Sequence, residues 1–146
     1  MLEKYFGKLE IILDKNHNGF EMLNDGYVII RKGAVKLLSN ETAVIPSSMN
    51  GDVVLVKAKD TINKVLNSMS HGTGRIMSRS EAKTYAEKFD YKSLREMIYI
   101  PNMISDASIK TEAPFCYRAI DSCLQLIEKL VTEVQRFSPF AYLGQI

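Results

Sequence analysis

The chain has 146 residues, 46% hydrophobic and 25% charged, the balance of an ordinary soluble domain able to bury a core, with one domain over 1–146 as the default. A net charge of +2 is too small to argue for nucleic-acid binding through a global field, so any anionic ligand must be held by a local cluster of basic groups. No apolar run approaches the roughly 20 residues of a membrane span, and Met1-Leu2-Glu3-Lys4 lacks a secretory apolar region, so a cytoplasmic location is expected.

In chain order, the first two thirds read as short strands joined by turns. Leu9 to Leu13 is a short apolar run. Asn24-Asp25-Gly26 is a strong hairpin signal, predicting that the segment around Phe20 to Leu23 pairs with Tyr27 to Arg31. Thr42 to Ile45 and Asp52 to Val56 read as two buried strands, with Pro46 to Gly51 as the loop between them. Ser78-Arg79-Ser80-Glu81 fits a capping box and predicts a helix to about Lys88, whose start offers a partial positive charge and free N–H groups to a phosphate. Ser93 to Ile100 is ambiguous. Ile120, Cys123, Leu124, Ile127, Leu130, Val131 and Val134 form an apolar stripe that predicts a long core helix from Tyr117 to about Arg136. Glu112-Ala113-Pro114 then most simply caps that helix, an acid near its positive end and a proline at its start. Cys116 and Cys123 are not spaced as a zinc pair and read as reduced core thiols. The fold class expected is α+β, with short, mostly antiparallel strands packed by helices.

The segment richest in chemistry is Ser70-His71-Gly72-Thr73-Gly74-Arg75, which sets one of only two histidines among small residues beside a guanidinium. An imidazole so placed is reachable, and Arg75 can offer a bidentate fork to an oxyanion; the same residues also make a good turn. His17, in Lys15-Asn16-His17-Asn18-Gly19, reads equally well as a ligand or as part of a polar turn. Arg31-Lys32-Gly33 could clamp a phosphate, although solvated basic residues at a strand end are the simpler reading. The chain has no Walker loop, dinucleotide fingerprint, zinc motif or serine nucleophile elbow.

Taken together, five colinear segments resemble the RtcB-type tRNA-splicing RNA ligases. His71-Gly72-Thr73-Gly74-Arg75-Ile76-Met77-Ser78-Arg79 is similar to that family's His-Gly-Ala-Gly-Arg-x-x-Ser-Arg signature. His17-Asn18 resembles its metal-binding His-Asn pair, and Ile30-Arg31-Lys32-Gly33-Ala34 its His-Arg-Lys-Gly-Ala strand. Ile45-Pro46-Ser47-Ser48-Met49 resembles its Ile-Pro-Gly-Ser-Met loop, and Glu112-Ala113-Pro114-Phe115-Cys116-Tyr117-Arg118 its Glu-Ala-Pro-x-x-Tyr-Lys segment. The resemblance implies that His71 becomes guanylylated by GTP, that His17 holds a Mn²⁺ ion, and that Asn18, Pro46, Ser47, Ser48, Met49, Gly72, Thr73 and Gly74 line the guanylate site. It further implies joining of RNA 3′-phosphate or 2′,3′-cyclic phosphate ends, such as those of tRNA halves, to 5′-hydroxyl ends, with archease as a protein cofactor of some members.

The family's other metal ligands lie in an N-terminal half for which this sequence has no counterpart, so the chain corresponds to the C-terminal, guanylate-binding portion. The alternative is a non-catalytic shortened relative that binds nucleotide or RNA ends through Arg31, Lys32, Arg75 and Arg79. If the other half is missing, an apolar patch is expected near His17, and the chain can dimerise through it.

Overall fold

The computed structural model describes residues 4, 7–8 and 10–144. The fold is α+β, as the sequence predicts, with seven short strands among the described residues, every pairing between them antiparallel. β1 (Asn18–Met22) and β2 (Val28–Lys32) form the expected hairpin, closed where the Gly26 and Leu23 amides donate to the Leu23 and Tyr27 carbonyls. Gly26 has φ +86, which glycine adopts without the penalty a Cβ brings. No strand forms over residues 10–13, and Leu9 lies outside the described residues.

β4 (Thr42–Pro46), β5 (Val53–Ala58) and β7 (Val131–Phe137) make a three-stranded sheet in the order β4-β5-β7. Alternation sets its inner face: Ala43, Ile45, Val54, Val56 and Ala58 are buried, and they pack with Ile62, Ile120 and Val131 into one core. β3 (Ala34–Lys36) and β6 (Ser68–Ser70) form a short ribbon whose Val35 and Met69 join that core. Met49, Leu94, Ile98, Ile100 and Ile109 build a second cluster under the helices.

The helices are α1 (Arg79–Tyr85), α2 (Tyr91–Met97), α3 (Asp106–Ile109) and α4 (Ile120–Ile127). α1 carries both halves of the expected capping box and runs into a 3-10 turn at Ala86–Lys88, while the ambiguous Ser93 to Ile100 stretch resolves into α2 and an extended exit. The long helix from Tyr117 to Arg136 does not form. α4 stops at Ile127, a turn follows in which the Leu130 amide donates to the Ile127 carbonyl, and Val131–Phe137 becomes a strand. Two physical terms favour this outcome. Val-Thr-Glu-Val-Gln-Arg-Phe is rich in β-branched and aromatic residues, and β5 offers it backbone partners from Val53↔Phe137 to Ala58↔Val131, with one register shift that leaves Val134 unpaired. Glu112-Ala113-Pro114 accordingly caps no long helix; Pro114 opens a single 3-10 turn, Pro114–Cys116. Cys116 and Cys123 are buried free thiols. No helix among the described residues is long and apolar enough to cross a membrane.

The hairpin is anchored to the body by charge. Arg31, 8% exposed, donates to the Glu21 carboxylate, the Ser68 hydroxyl and the Leu66 carbonyl, so it is neither solvated nor free to clamp a phosphate. Lys36 meets the other Glu21 oxygen at 2.5 Å. The Lys36 hydrogen bond, and after it that of Arg31, holds the Glu21 carboxyl below its ordinary value of 4.5. A depressed carboxylate contributes stability above its unfolded-state pKa and loses it as pH falls through the folded one. The melting temperature is therefore expected to drop on acidification below pH 4.5, and Glu21→Gln to flatten that drop, by scanning calorimetry. An equal acid response in both proteins would refute the assignment.

Candidate functional site

The backbone at Gly33 joins the two histidines. Gly33 follows β2 with φ +68, turning the chain into β3. Its amide donates to Asn18 Oδ1 (3.0 Å), its carbonyl accepts from the His71 amide (3.3 Å), and the next amide, Ala34, donates to the His17 carbonyl (3.3 Å). Hairpin register and ribbon register thus bring together residues 54 positions apart. The His17 and His71 rings stack with centroids 5.1 Å apart and planes within 5°. Both are exposed, and both line a cleft of about 380 Å³ with Asp14, Val44 and Pro46.

Gly33 also keeps one ring nitrogen approachable. A Cβ at position 33 would lie 3.3 Å from His71 Nε2 and 3.5 Å from Cδ2. Gly33→Ala would therefore crowd the Nε2 edge and force a side chain into a left-handed backbone, which costs about 1–2 kcal/mol. We expect that loss in chemical denaturation, together with slower modification of His71 by an imidazole-specific reagent. An unchanged modification rate would show that Nε2 does not depend on the missing side chain.

The remaining predicted residues lie on two adjoining loops. The Thr73 amide donates to the Pro46 carbonyl (3.1 Å), and a Cβ at Gly72 would sit 3.1 Å from that same oxygen, so the histidine loop lies directly on the Pro46 loop. Gly74, at φ +75, turns the chain so that its carbonyl accepts from the Arg118 amide. Thr73 is buried, with a hydroxyl that has no partner among the described residues. Pro46 faces the histidine cleft, whereas Ser47, Ser48 and Met49 line a neighbouring cleft of about 230 Å³ with Glu112, Tyr117 and Tyr142. Ser47 and Ser48 hold the loop in shape by donating to the Asp52 carbonyl and to Asn50 Oδ1.

Arg75 does not serve as an anion fork. Its guanidinium donates to the Thr111 carbonyl at 2.6 Å, to the Met77 carbonyl and to Glu112, and lies 5.3 Å from the centre of the Tyr117 ring. Glu112 also receives the Tyr117 hydroxyl and Arg79, so the acid expected to cap a helix instead ties the histidine loop to the segment before α4. Burial, and secondarily the Glu112 carboxylate, raise the Tyr117 hydroxyl above its ordinary pKa, keeping it a donor. The α1 start is likewise closed to a phosphate by its own cap: the Glu81 amide donates to Ser78 Oγ, and Glu81 returns to the Ser78 amide.

Sequence reasoning named Gly33 only beside Arg31 and Lys32 as a possible phosphate clamp, and missed it as the turn that joins the two histidines. It also missed Glu112, Tyr117 and Tyr142 as walls of the second cleft; for Tyr142 no local signal existed. Two imidazoles alone do not close a metal shell, and no three His, Cys, Asp or Glu side chains converge among the described residues.

This geometry defines an α+β unit that offers a ligand exposed imidazole nitrogens beside a serine-rich loop, with Arg31 and Arg75 committed to internal contacts. A family model described as tRNA-splicing ligase RtcB matches residues 1–144, and the chain belongs to that family. It is similar to the RNA-splicing ligase RtcB of Escherichia coli (strain K12), 31% identical over 103 residues that cover 70% of this chain and 24% of that protein. The tRNA-splicing ligase RtcB of Nanoarchaeum equitans is 29% identical over 159 residues, covering 92% of this chain and 33% of that protein. That of Thermococcus kodakarensis is 26% identical over 145 residues, covering 84% and 30%. The chain thus spans between a quarter and a third of the length of these curated relatives.

Proposed function

We propose that this chain is the histidine-bearing, guanylate-binding portion of an RNA ligase, with His71 as the nucleophile. The observation that supports the reading is the exposed His71 ring, its Nε2 edge left uncovered by Gly33 and its partner His17 stacked at 5.1 Å. The lone pair of His71 Nε2 attacks the α-phosphorus of GTP, the bond to the bridging oxygen breaks, and pyrophosphate leaves. An oxygen of an RNA 3′-phosphate then attacks the same phosphorus, the P–N bond breaks, and the guanylate moves to the RNA end. A 5′-hydroxyl attacks the activated 3′-phosphorus, and GMP departs as the strands join; a 2′,3′-cyclic phosphate is first opened by water. Pro46, Ser47, Ser48, Met49, Gly72, Thr73 and Gly74 form the wall along which the nucleotide lies, and Asn18 fixes the Gly33 turn on which both rings depend.

A Mn²⁺ ion would neutralise phosphate charge in such a reaction, and His17 is the residue assigned to it. The described residues do not complete that ion's shell, so the remaining ligands must come from the polypeptide that makes up the rest of the relatives' length. RNA ends, GTP and, as for some family members, archease are the proposed partners.

The second reading, nucleotide or RNA-end binding without covalent chemistry, leans on Arg31, Lys32, Arg75 and Arg79. It is weakened by the internal partners of Arg31 and Arg75, which leave only Lys32 and Arg79 at the surface. Incubation with α-labelled GTP and Mn²⁺, in the full-length context that supplies the remaining metal ligands, tests the choice. Acid-labile, alkali-stable label on the wild type and none on His71→Ala is the expected result. Label retained by His71→Ala would overturn the assignment of the nucleophile.

A further inference from the structure

We propose that the outer face of the β1–β2 hairpin is a self-association surface, covered by a second copy of this chain. Register places Phe20 opposite Ile30 and Met22 opposite Val28, so these four side chains share one face, while Glu21 and Arg31 point to the other and anchor it. Phe20 is 76% exposed and Ile30 79%, and Met22 and Val28 are exposed as well. Together they present on the order of 500 Å² of apolar surface. That equals the largest patch of a typical monomer, about 300–600 Å².

Two such faces packed together bury about 1,000 Å², the threshold for a specific interface.

Charge chooses the occupant. Lys32 lies at the open end of the same face, opposite Asn18, and Asp25 lies in the turn at the other end. Neither has an ion-pair partner among the described residues. A twofold axis lying in the plane between the two faces, perpendicular to the strands, sets the turn of one hairpin over the open end of the other, pairing Asp25 with the partner copy's lysine twice while the apolar pairs meet in the middle. A self-complementary pattern of this kind suits an identical partner, and the inference stands independently of the nucleotidyl chemistry.

Sedimentation velocity of the full chain over a micromolar concentration series tests the proposal. The wild type should dimerise, and Phe20→Glu combined with Ile30→Glu should be monomeric with an unchanged far-ultraviolet circular dichroism spectrum. Asp25→Lys and Lys32→Asp should each weaken the dimer about tenfold, and the combined swap should restore it. This charge cycle decides the matter even if the apolar variant fails to fold. A wild type that stays monomeric, a dimer that survives both glutamates, or a charge swap that restores nothing would overturn it. The monomeric result would assign the face to the remaining length of the relatives instead.

Discussion

Arg31→Ala is expected to destabilise the chain by about 2–3 kcal/mol, read as a lower urea midpoint. The guanidinium is almost sealed, and its removal orphans a carbonyl, a hydroxyl and half the neutralisation of Glu21. The loss should not stay local. Arg31 fixes the hairpin that carries Asn18 to the Gly33 turn, so the two imidazoles should drift apart when it goes. Arg31→Lys cannot reach three partners from one ammonium and should recover less than half of the stability. Full recovery by lysine would mean that charge alone matters here, against the geometry described.

Arg75→Ala should cost a similar amount, about 2–3 kcal/mol, through a different route. This side chain donates to Thr111, Met77 and Glu112 while lying on the Tyr117 ring, and so joins the loop after His71 to the segment before α4. Its loss leaves the Glu112 carboxylate with Arg79 and the Tyr117 hydroxyl only. Double-mutant cycles should show coupling between Arg75→Ala and Glu112→Gln, and additivity between Arg75→Ala and Arg31→Ala, which have no shared partner. Coupling of the two arginine variants would contradict their separation into two networks.

Part of this architecture was legible in the residues. Asn24-Asp25-Gly26 announced the hairpin, Ser78 with Glu81 announced the start of α1, and the apolar runs of Thr42 to Ile45 and Asp52 to Val56, bounded by Pro46 and by Asn50-Gly51, announced two strands of the main sheet. These features are local, set by turn chemistry and caps. The stripe from Ile120 to Val134 misled because helical spacing continued past Ile127, whereas the β-branched run from Val131 found its partners on β5, some 75 positions earlier in the chain. The three-residue strands β3 and β6 were too short to announce themselves, yet they carry Ala34 and Ser70 next to the histidine turn.

At the site, the sequence named His17 and His71, but ring stacking depends on two registers that no local pattern encodes. A guanidinium beside glycines has anion binding available to it, and the residues alone offer Arg31 solvation as the simpler reading and Arg75 an anion fork or a turn. Folding commits Arg31 and Arg75 to carbonyl and carboxylate partners of the chain itself.

The account turns on where a guanylyl group becomes attached. Peptide mapping by mass spectrometry after incubation with GTP and Mn²⁺, in the full-length context that supplies the remaining metal ligands, should find that group on the peptide containing His71, at the imidazole, and should find it diminished in Gly33→Ala. A wild-type protein in that context carrying no guanylyl group, or carrying it on a lysine or on His17, would contradict it.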